Sequence, residues 1–347
     1  MQSASFFRKP VQVDVRPEFV HYLVTGGAGF IGSHLVDALL EQGHRVTVLD
    51  DLSTGSLANL DHYRADPRLE FVQGSILDQP LVARLVSDAD AIYHLAAVVG
   101  VKHVVDDPLR GMVVNVQGTE IILEEAARCG CKVLVASSSE TYGKSVQVPL
   151  QEDADTLIGS STVPRWSYAL SKLLDEQLAL AYHRQKGLPV VAVRYFNAYG
   201  PRLDPRGYGS VVARFISQAR RGEPLTIYGD GEQTRTFTYV SDTVAGTMAA
   251  MTTPSAVGMV FNIGNNVECS IEVLANKIRG IVNPALAVTY IPYQAAYGAA
   301  FEETRRRLPD TARAREILGF QATVPLDEGL RRTIHWFEEC FYELIEA

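Results

Sequence analysis

Tyr168 and Lys172 stand four residues apart in "RWSYALSKLLDE". That spacing places both on one face of a helix. A lysine beside a phenol lowers its pKa, so the pair can take a proton from an alcohol near neutral pH. Taken alone, the YxxxK spacing is common on ordinary surface helices. A second acid-base candidate lies in "VASSSETYGK", Val135 to Lys144, where Glu140 follows three serines at the end of an apolar run. A carboxylate at the mouth of a buried strand can manage a proton or a charge there, or it can cap or salt-bridge a loop.

A third stretch, "VTGGAGFIGSHL", spaces Gly26, Gly29 and Gly32 as GxxGxxG and includes Phe30 and Ile31. Glycines between a strand and a helix let backbone approach a pyrophosphate, with the helix N-terminus supplying N–H groups and a positive dipole. Asp50 ends the next apolar run. A carboxylate there accepts hydrogen bonds from a ribose diol and repels a 2′-phosphate, which favours NAD over NADP. Asp51, Ser53 and Gly55 in "LDDLSTG" would line the adenosine side or serve as turn residues.

These residues need a scaffold, and the pattern of the chain supplies one. Apolar runs at Phe19–Gly26, His44–Asp50, "LEFVQG", "DAIYHLAA", "CKVLVASS" and "LPVVAVRYF" read as strands. Helical patterns lie between several of them, notably Pro108–Arg128 and Trp166–Gln185. Strands alternating with helices predict an α/β fold, a Rossmann-type doubly wound parallel sheet covered on both faces. Beyond Asn197 the chain is richer in Gly and Pro and ends in an amphipathic helix over about Leu326–Ile345. The expected organisation is an N-terminal extension (1–19), an NAD-binding domain (20–196) and a smaller, mainly substrate-binding C-terminal lobe (197–347).

Composition narrows the partners. The chain has 347 residues, 47% hydrophobic and 21% charged, with a net charge of −8. A chain of that size buries a large core, and its acidity disfavours nucleic acid. Cys129, Cys131, Cys269 and Cys340 lack CxxC pairing, so thiols in a reducing cytosol are expected rather than a metal site. No apolar run reaches the length of a membrane span, and "MQSASFFRKPVQVDVRPEF" lacks the apolar core of a secretory signal.

The Gly-rich loop, Asp50, "HLAA", "SSSETYG", YxxxK and "RYFNAYGPR" occur in this order. In that combination the chain resembles the extended short-chain dehydrogenase/reductase family that modifies nucleotide sugars, from about Val20 to Glu339. The resemblance implies tightly held NAD, a nucleoside-diphosphate sugar as substrate, and a homodimer paired through the helices carrying Asn115 and Tyr168. It implies that Tyr168 takes the proton of the sugar 4-hydroxyl, that Ser138 hydrogen-bonds that oxygen, and that Lys172 binds the nicotinamide ribose and tunes Tyr168. Asn115 in "NVQGT" would support the active-site helix. Leu95, Ala96 and Ala97, together with Tyr195, would lie around the cofactor. One departure falls at "QGSILD", where relatives carry an Asp-aliphatic pair against adenine and this chain has Ser75-Ile76. For the substrate, the resemblance implies Asn197 and Arg235 at the diphosphate, Tyr228 at the nucleobase, and added positive charge from Arg214.

The family's 4-keto intermediate has three fates, and Glu140 bears on the choice. Epimerisation needs no acid near C5. Dehydration and decarboxylation need groups that manage charge at C5 and C6. The triplet Ser138-Ser139-Glu140 resembles the Thr-Ser-Glu of UDP-glucuronate decarboxylases and of GDP-mannose 4,6-dehydratases. "RRRLPDTARAREILGF" resembles the decarboxylase segment whose arginine holds the sugar carboxylate, which places Arg307 there; the same arginines also fit a solvated turn or diphosphate contacts. "HLAAVVGVKHVVDDPL" is closer to 4-epimerases. The expectation is UDP-glucuronate decarboxylation, with an NDP-sugar 4-epimerase second and a 4,6-dehydratase third. A non-catalytic NAD sensor would show a broken Ser-Tyr-Lys set, whereas Ser138, Tyr168 and Lys172 are all present.

Overall fold

A computed structural model of the chain describes residues 19–100, 107–206, 209–297 and 302–346. The expected N-terminal extension lies, except for Phe19, outside the described residues, as do residues 101–106 of the epimerase-like stretch.

Strands covered on both faces must be apolar at successive positions. Six segments open the fold, all but the partly exposed edge strand β3 of this kind: β1 (His21–Thr25), β2 (Arg45–Asp50), β3 (Leu69–Gln73), β4 (Ala91–His94), β5 (Lys132–Ser138) and β6 (Val190–Tyr195). Four short strands follow, β7 (Ala198–Tyr199), β8 (Leu225–Tyr228), β9 (Thr234–Thr236) and β10 (Thr238–Tyr239), then β11 (Met259–Ile263), β12 (Glu268–Ser270), β13 (Val288–Ile291) and β14 (Arg306–Arg307). The main sheet is parallel throughout, in the order β11-β6-β5-β4-β1-β2-β3. The strand order reverses between β1 and β4, and in such sheets ligands bind outside the carboxyl ends of the strands at that point.

Alternate strand residues feed two cores. Val24, Val48, Tyr93, Leu134 and Val193 pack on one face with Leu35 and Leu39 of helix Phe30–Glu41. Leu23, Leu49, Ile92, Val133 and Val190 pack on the other with Ile122 and Leu123 of helix Gly118–Cys129. The helical pattern expected over Pro108–Arg128 is observed with an interruption: a π turn at Val113–Gln117 separates helix Pro108–Met112 from helix Gly118–Cys129. Helix Trp166–Lys186 ends where Gly187 adopts a left-handed conformation, a common glycine stop.

The C-terminal half does not stay apart from the sheet. Helix Val240–Thr252 packs beside helix Phe30–Glu41, and β11 pairs with β6 in register Met259↔Val191 to Ile263↔Tyr195. The boundary expected at 196/197 therefore leaves one strand of the sheet on the lobe side. "MVFNI" is short and follows β6 only after the long, irregular stretch that builds the lobe, so its run does not stand out in the sequence. The remaining strands build the lobe as small sheets, β12-β9-β14, β13-β8 and β10-β7. None of the helices among the described residues is long and apolar enough to cross a membrane, and the four cysteines form no disulfide.

Candidate active site

A cavity of about 890 Å³ opens at the carboxyl ends of the central strands. Its first half is the glycine loop. Gly26 has φ +72°, and a Cβ there would stand 2.8 Å from the Ala96 backbone nitrogen. A Cβ at Gly32 would stand 2.1 Å from the Gly26 carbonyl oxygen. These contacts press the loop and the helix start against the ends of β1 and β4. Helix Phe30–Glu41 begins at Gly29 with no side-chain cap and no acidic residue in its first turn. Its first N–H groups are thus left for an anion. Asp50 accepts from Ala28 N at 3.0 Å and Leu52 N at 2.8 Å, which aims its carboxylate along the cavity wall, and burial pushes its pKa up. Phe30, Ile31, Asp51, Ser53, Gly55, Ser75, Ile76, Leu95, Ala96 and Ala97 line the same wall. Asp51 also accepts from Ser53 N at 2.9 Å and Ser75 Oγ from Leu77 N at 3.2 Å, so these residues do turn chemistry as well. An uncapped helix start, a glycine-rich loop and a diol-accepting carboxylate fit a dinucleotide with an unphosphorylated ribose.

The second half carries the proton chemistry. Ser138, Ser139, Glu140, Tyr168, Lys172, Tyr195 and Asn197 line the cavity. Ser138 ends β5 opposite Tyr195 of β6. Its hydroxyl accepts from Glu140 N at 3.2 Å and hydrogen-bonds Tyr168. Burial, with the Glu140 charge adding to it, raises the Tyr168 pKa, and the Ser138 bond works against that rise. Lys172 Nζ donates to Asp175 at 3.0 Å, one turn along the same helix. Asn115, in the π turn, lies behind the wall. Its Oδ1 accepts from Val98 N at 2.7 Å and its Nδ2 donates to Ser171 Oγ at 3.0 Å. It thereby ties the segment after Ala97 to the helix that carries Tyr168. Asn197 has φ +34°, and its Oδ1 is buried without a hydrogen-bond partner among the described residues.

Glu140 sits between two guanidiniums. Arg307 Nη1 donates to Oε1 at 2.7 Å and Arg165 Nη1 to Oε2 at 2.9 Å. Burial alone would raise the Glu140 pKa, but Arg307 and Arg165 outweigh it and hold the carboxyl below the usual carboxylate range. Backbone geometry brings the partners together. Leu150 N donates to Leu308 O and Asp310 N to Leu150 O. β14 pairs with β9 so that Arg307 lies beside Arg235. Arg235 Nη2 meets Glu303 Oε1 at 2.6 Å, and Arg165 Nη2 lies 3.8 Å from the same oxygen. Glu302 turns its carboxylate to Lys144 and Trp166.

Three residues expected at the substrate are not on the cavity wall. Arg214 stacks its guanidinium 4.1 Å above the Tyr228 ring and donates to Thr226 O, which turns both side chains toward each other. Arg235 lies beside Arg307, because adjacent strands hold the two in register. Arg165 was missed in the sequence, although it directly precedes the Trp-Ser-Tyr of the active-site helix. Its position in "PRWSY" gives no sign that its side chain turns back to Glu140.

An α/β sheet of this order, with a dinucleotide loop at its switch point and a Ser-Tyr-Lys set in the same cleft, defines an NAD-dependent enzyme of the short-chain dehydrogenase/reductase type. The chain belongs to the NAD dependent epimerase/dehydratase family, whose sequence model matches residues 22–264. It is 42% identical, over 91% of its length and 97% of the relative's, to a UDP-N-acetyl-alpha-D-glucosaminuronate decarboxylase of Bacillus cytotoxicus. It is 37% identical to UDP-glucuronic acid decarboxylase 1 of Xenopus tropicalis, covering 96% of this chain and 76% of that one. Among solved structures, the UDP-glucuronic acid 4-epimerase of Bacillus cereus, in complex with UDP-glucuronic acid and NAD, superposes with a TM-score of 0.83 at 31% identity, covering 92% and 99% of the two chains.

Proposed function

We propose that the chain decarboxylates a UDP-hexuronic acid, UDP-glucuronate in the first place, through a 4-keto intermediate. The carrying observation is the clamp on Glu140. Arg165, Arg235 and Arg307 face Glu140 and Glu303, three guanidiniums against two carboxylates. A cluster with excess positive charge suits a sugar whose C6 is a carboxylate better than one with a neutral hydroxymethyl group.

Tyr168, hydrogen-bonded by Ser138, takes the proton of the 4-hydroxyl. The glycine loop and Asp50 would hold NAD, which would supply the acceptor for the C4 hydride and its later return. Oxidation at C4 makes the C6 carboxylate a β-keto acid. As CO2 leaves, the C5–C6 electron pair becomes an enolate on the C4 oxygen, where Tyr168 and Ser138 can donate to it. C5 then takes a proton. A substrate carboxylate that draws Arg307 away leaves Glu140 with Arg165 alone, which raises its proton affinity at the moment a proton must be handled.

The 42% identity to the UDP-N-acetyl-glucosaminuronate decarboxylase supports a second reading, in which the hexuronate carries a 2-acetamido group. Incubation with both UDP sugars, with NMR of the products and measurement of CO2 release, tests the proposal. Loss of the C6 carbon is expected. A product that keeps its carboxylate and is inverted at C4 would replace it with the 4-epimerase reading. Exposed Leu109, Met112 and Leu174, on the helices that carry or flank Asn115 and Tyr168, support a homodimer. Light scattering of the eluted protein measures this.

A further inference from the structure

Lys172 is buried, and its ammonium meets Asp175, which is fully buried. An ionised carboxylate only accepts hydrogen bonds. Asp175 Oδ2 takes the ammonium, while Oδ1 is buried without a hydrogen-bond partner among the described residues. Beside the pair, Thr119 Oγ1 lies 3.0 Å from His94 Nε2, His94 Nδ1 lies 2.8 Å from Thr25 Oγ1, and Thr25 Oγ1 accepts from Ala96 N at 3.2 Å. Burial, and the Lys172 charge with it, hold the His94 pKa down at about 3.

We propose that Asp175 is a positioning residue for the oxidation step: its carboxylate holds Lys172 through a buried ion pair on the Tyr168 face of the helix. The inference rests on Tyr168 being the proton acceptor. The charged and titratable groups that bear on the pair are few. His94 faces Lys172 from β4, and Glu176 neighbours Asp175 on its own helix. Glu140 faces Tyr168 from the end of β5 and is held there by Arg165 and Arg307. The Asp175 charge opposes phenolate formation at Tyr168. Removing it should let Tyr168 lose its proton at lower pH.

The test is the pH dependence of bound NADH formation in a single turnover with UDP-glucuronate. Asp175→Asn should move the limb set by Tyr168 to lower pH. Asp175→Glu, which keeps the charge, should leave that limb near that of the wild type. An Asp175→Asn profile that superposes on the wild type overturns the inference. Should Asp175→Asn not fold, the melting temperatures of Lys172→Met and Lys172→Met/Asp175→Asn decide. The double variant should melt higher, because Lys172→Met alone strands a buried carboxylate; equal or lower melting overturns the inference. Tyr168→Phe separates the two readings. If it still forms NADH, the assignment of the base fails. If it is inactive while Asp175→Asn matches the wild type, only the role of Asp175 fails.

Discussion

Arg307 reaches Glu140 across 167 positions of sequence and donates to it at 2.7 Å. The lobe thus contributes its charge directly to a loop at the end of a sheet strand. With Arg165 on the other oxygen, the acid is held ionised in the site before any sugar binds.

Replacing Arg307 by alanine leaves Glu140 with one guanidinium and removes the group best placed for a C6 carboxylate. Truncating one partner of a buried charge pair costs about 2–5 kcal/mol. Binding of UDP-glucuronate should weaken far more than binding of UDP-glucose. Calorimetric titration of both ligands against the variant measures the difference. Equal losses would remove Arg307 from carboxylate recognition.

Glu140→Gln should permit oxidation at C4 and stall the later steps at C5 and C6, leaving bound NADH and a 4-keto sugar. Turnover should fall by roughly 10²–10⁴-fold. Absorbance of bound NADH together with NMR of the released sugar checks this. Normal turnover would confine Glu140 to a structural part.

Tyr168→Phe should retain NAD and lose turnover by a similar order, since the 4-hydroxyl proton has no other acceptor of this kind beside Ser138. Steady-state rates and the cofactor content of the denatured protein separate loss of chemistry from loss of binding.

A methyl group at position 32 would meet the Gly26 carbonyl oxygen at 2.1 Å, so Gly32→Ala must push the loop away from the helix start. NAD affinity should drop, and stability should fall by about 1–3 kcal/mol. Fluorescence titration with NAD and a urea melt report the two effects independently.

His94 contributes a pH dependence with a definite sign. Its pKa is about 3 in the folded chain, below the ordinary 6.5, because it is buried near Lys172. The unfolded state therefore takes up the proton first. The stability that rests on a neutral His94 is complete above pH 6.5 and is lost as pH falls from there towards 3. The slope is at most about 1.4 kcal/mol per pH unit for this one group. Urea melts of the wild type and His94→Gln between about pH 7.5 and 5 should show the smaller acid loss in the variant.

Much of the fold and site was legible in the sequence, and the reasons are physical. β1, β2, β4, β5 and β6 are buried on both faces, which makes them continuous apolar runs. The glycine loop announces itself because backbone contacts at Gly26 and Gly32 exclude a side chain. Tyr168 and Lys172 are readable because a helix repeats locally. The clamp on Glu140 was half legible. Arg307 was found by resemblance, whereas Arg165 acts through a contact that no local spacing encodes. Likewise β11 declares itself only by where it lands, beside β6.

That landing has a consequence for how the protein is made. Until residues 259–263 have left the ribosome and docked, β6 offers an open row of backbone donors and acceptors along an apolar segment, VVAVRY. Such a bare edge invites pairing with another chain. A fragment cut at residue 196 would keep that edge for good, and it should aggregate strand to strand instead of behaving as a free nucleotide-binding unit. The chain supplies β11 before it reaches Arg307, so the strand that closes the edge is available earlier in synthesis than the arginine that reaches Glu140.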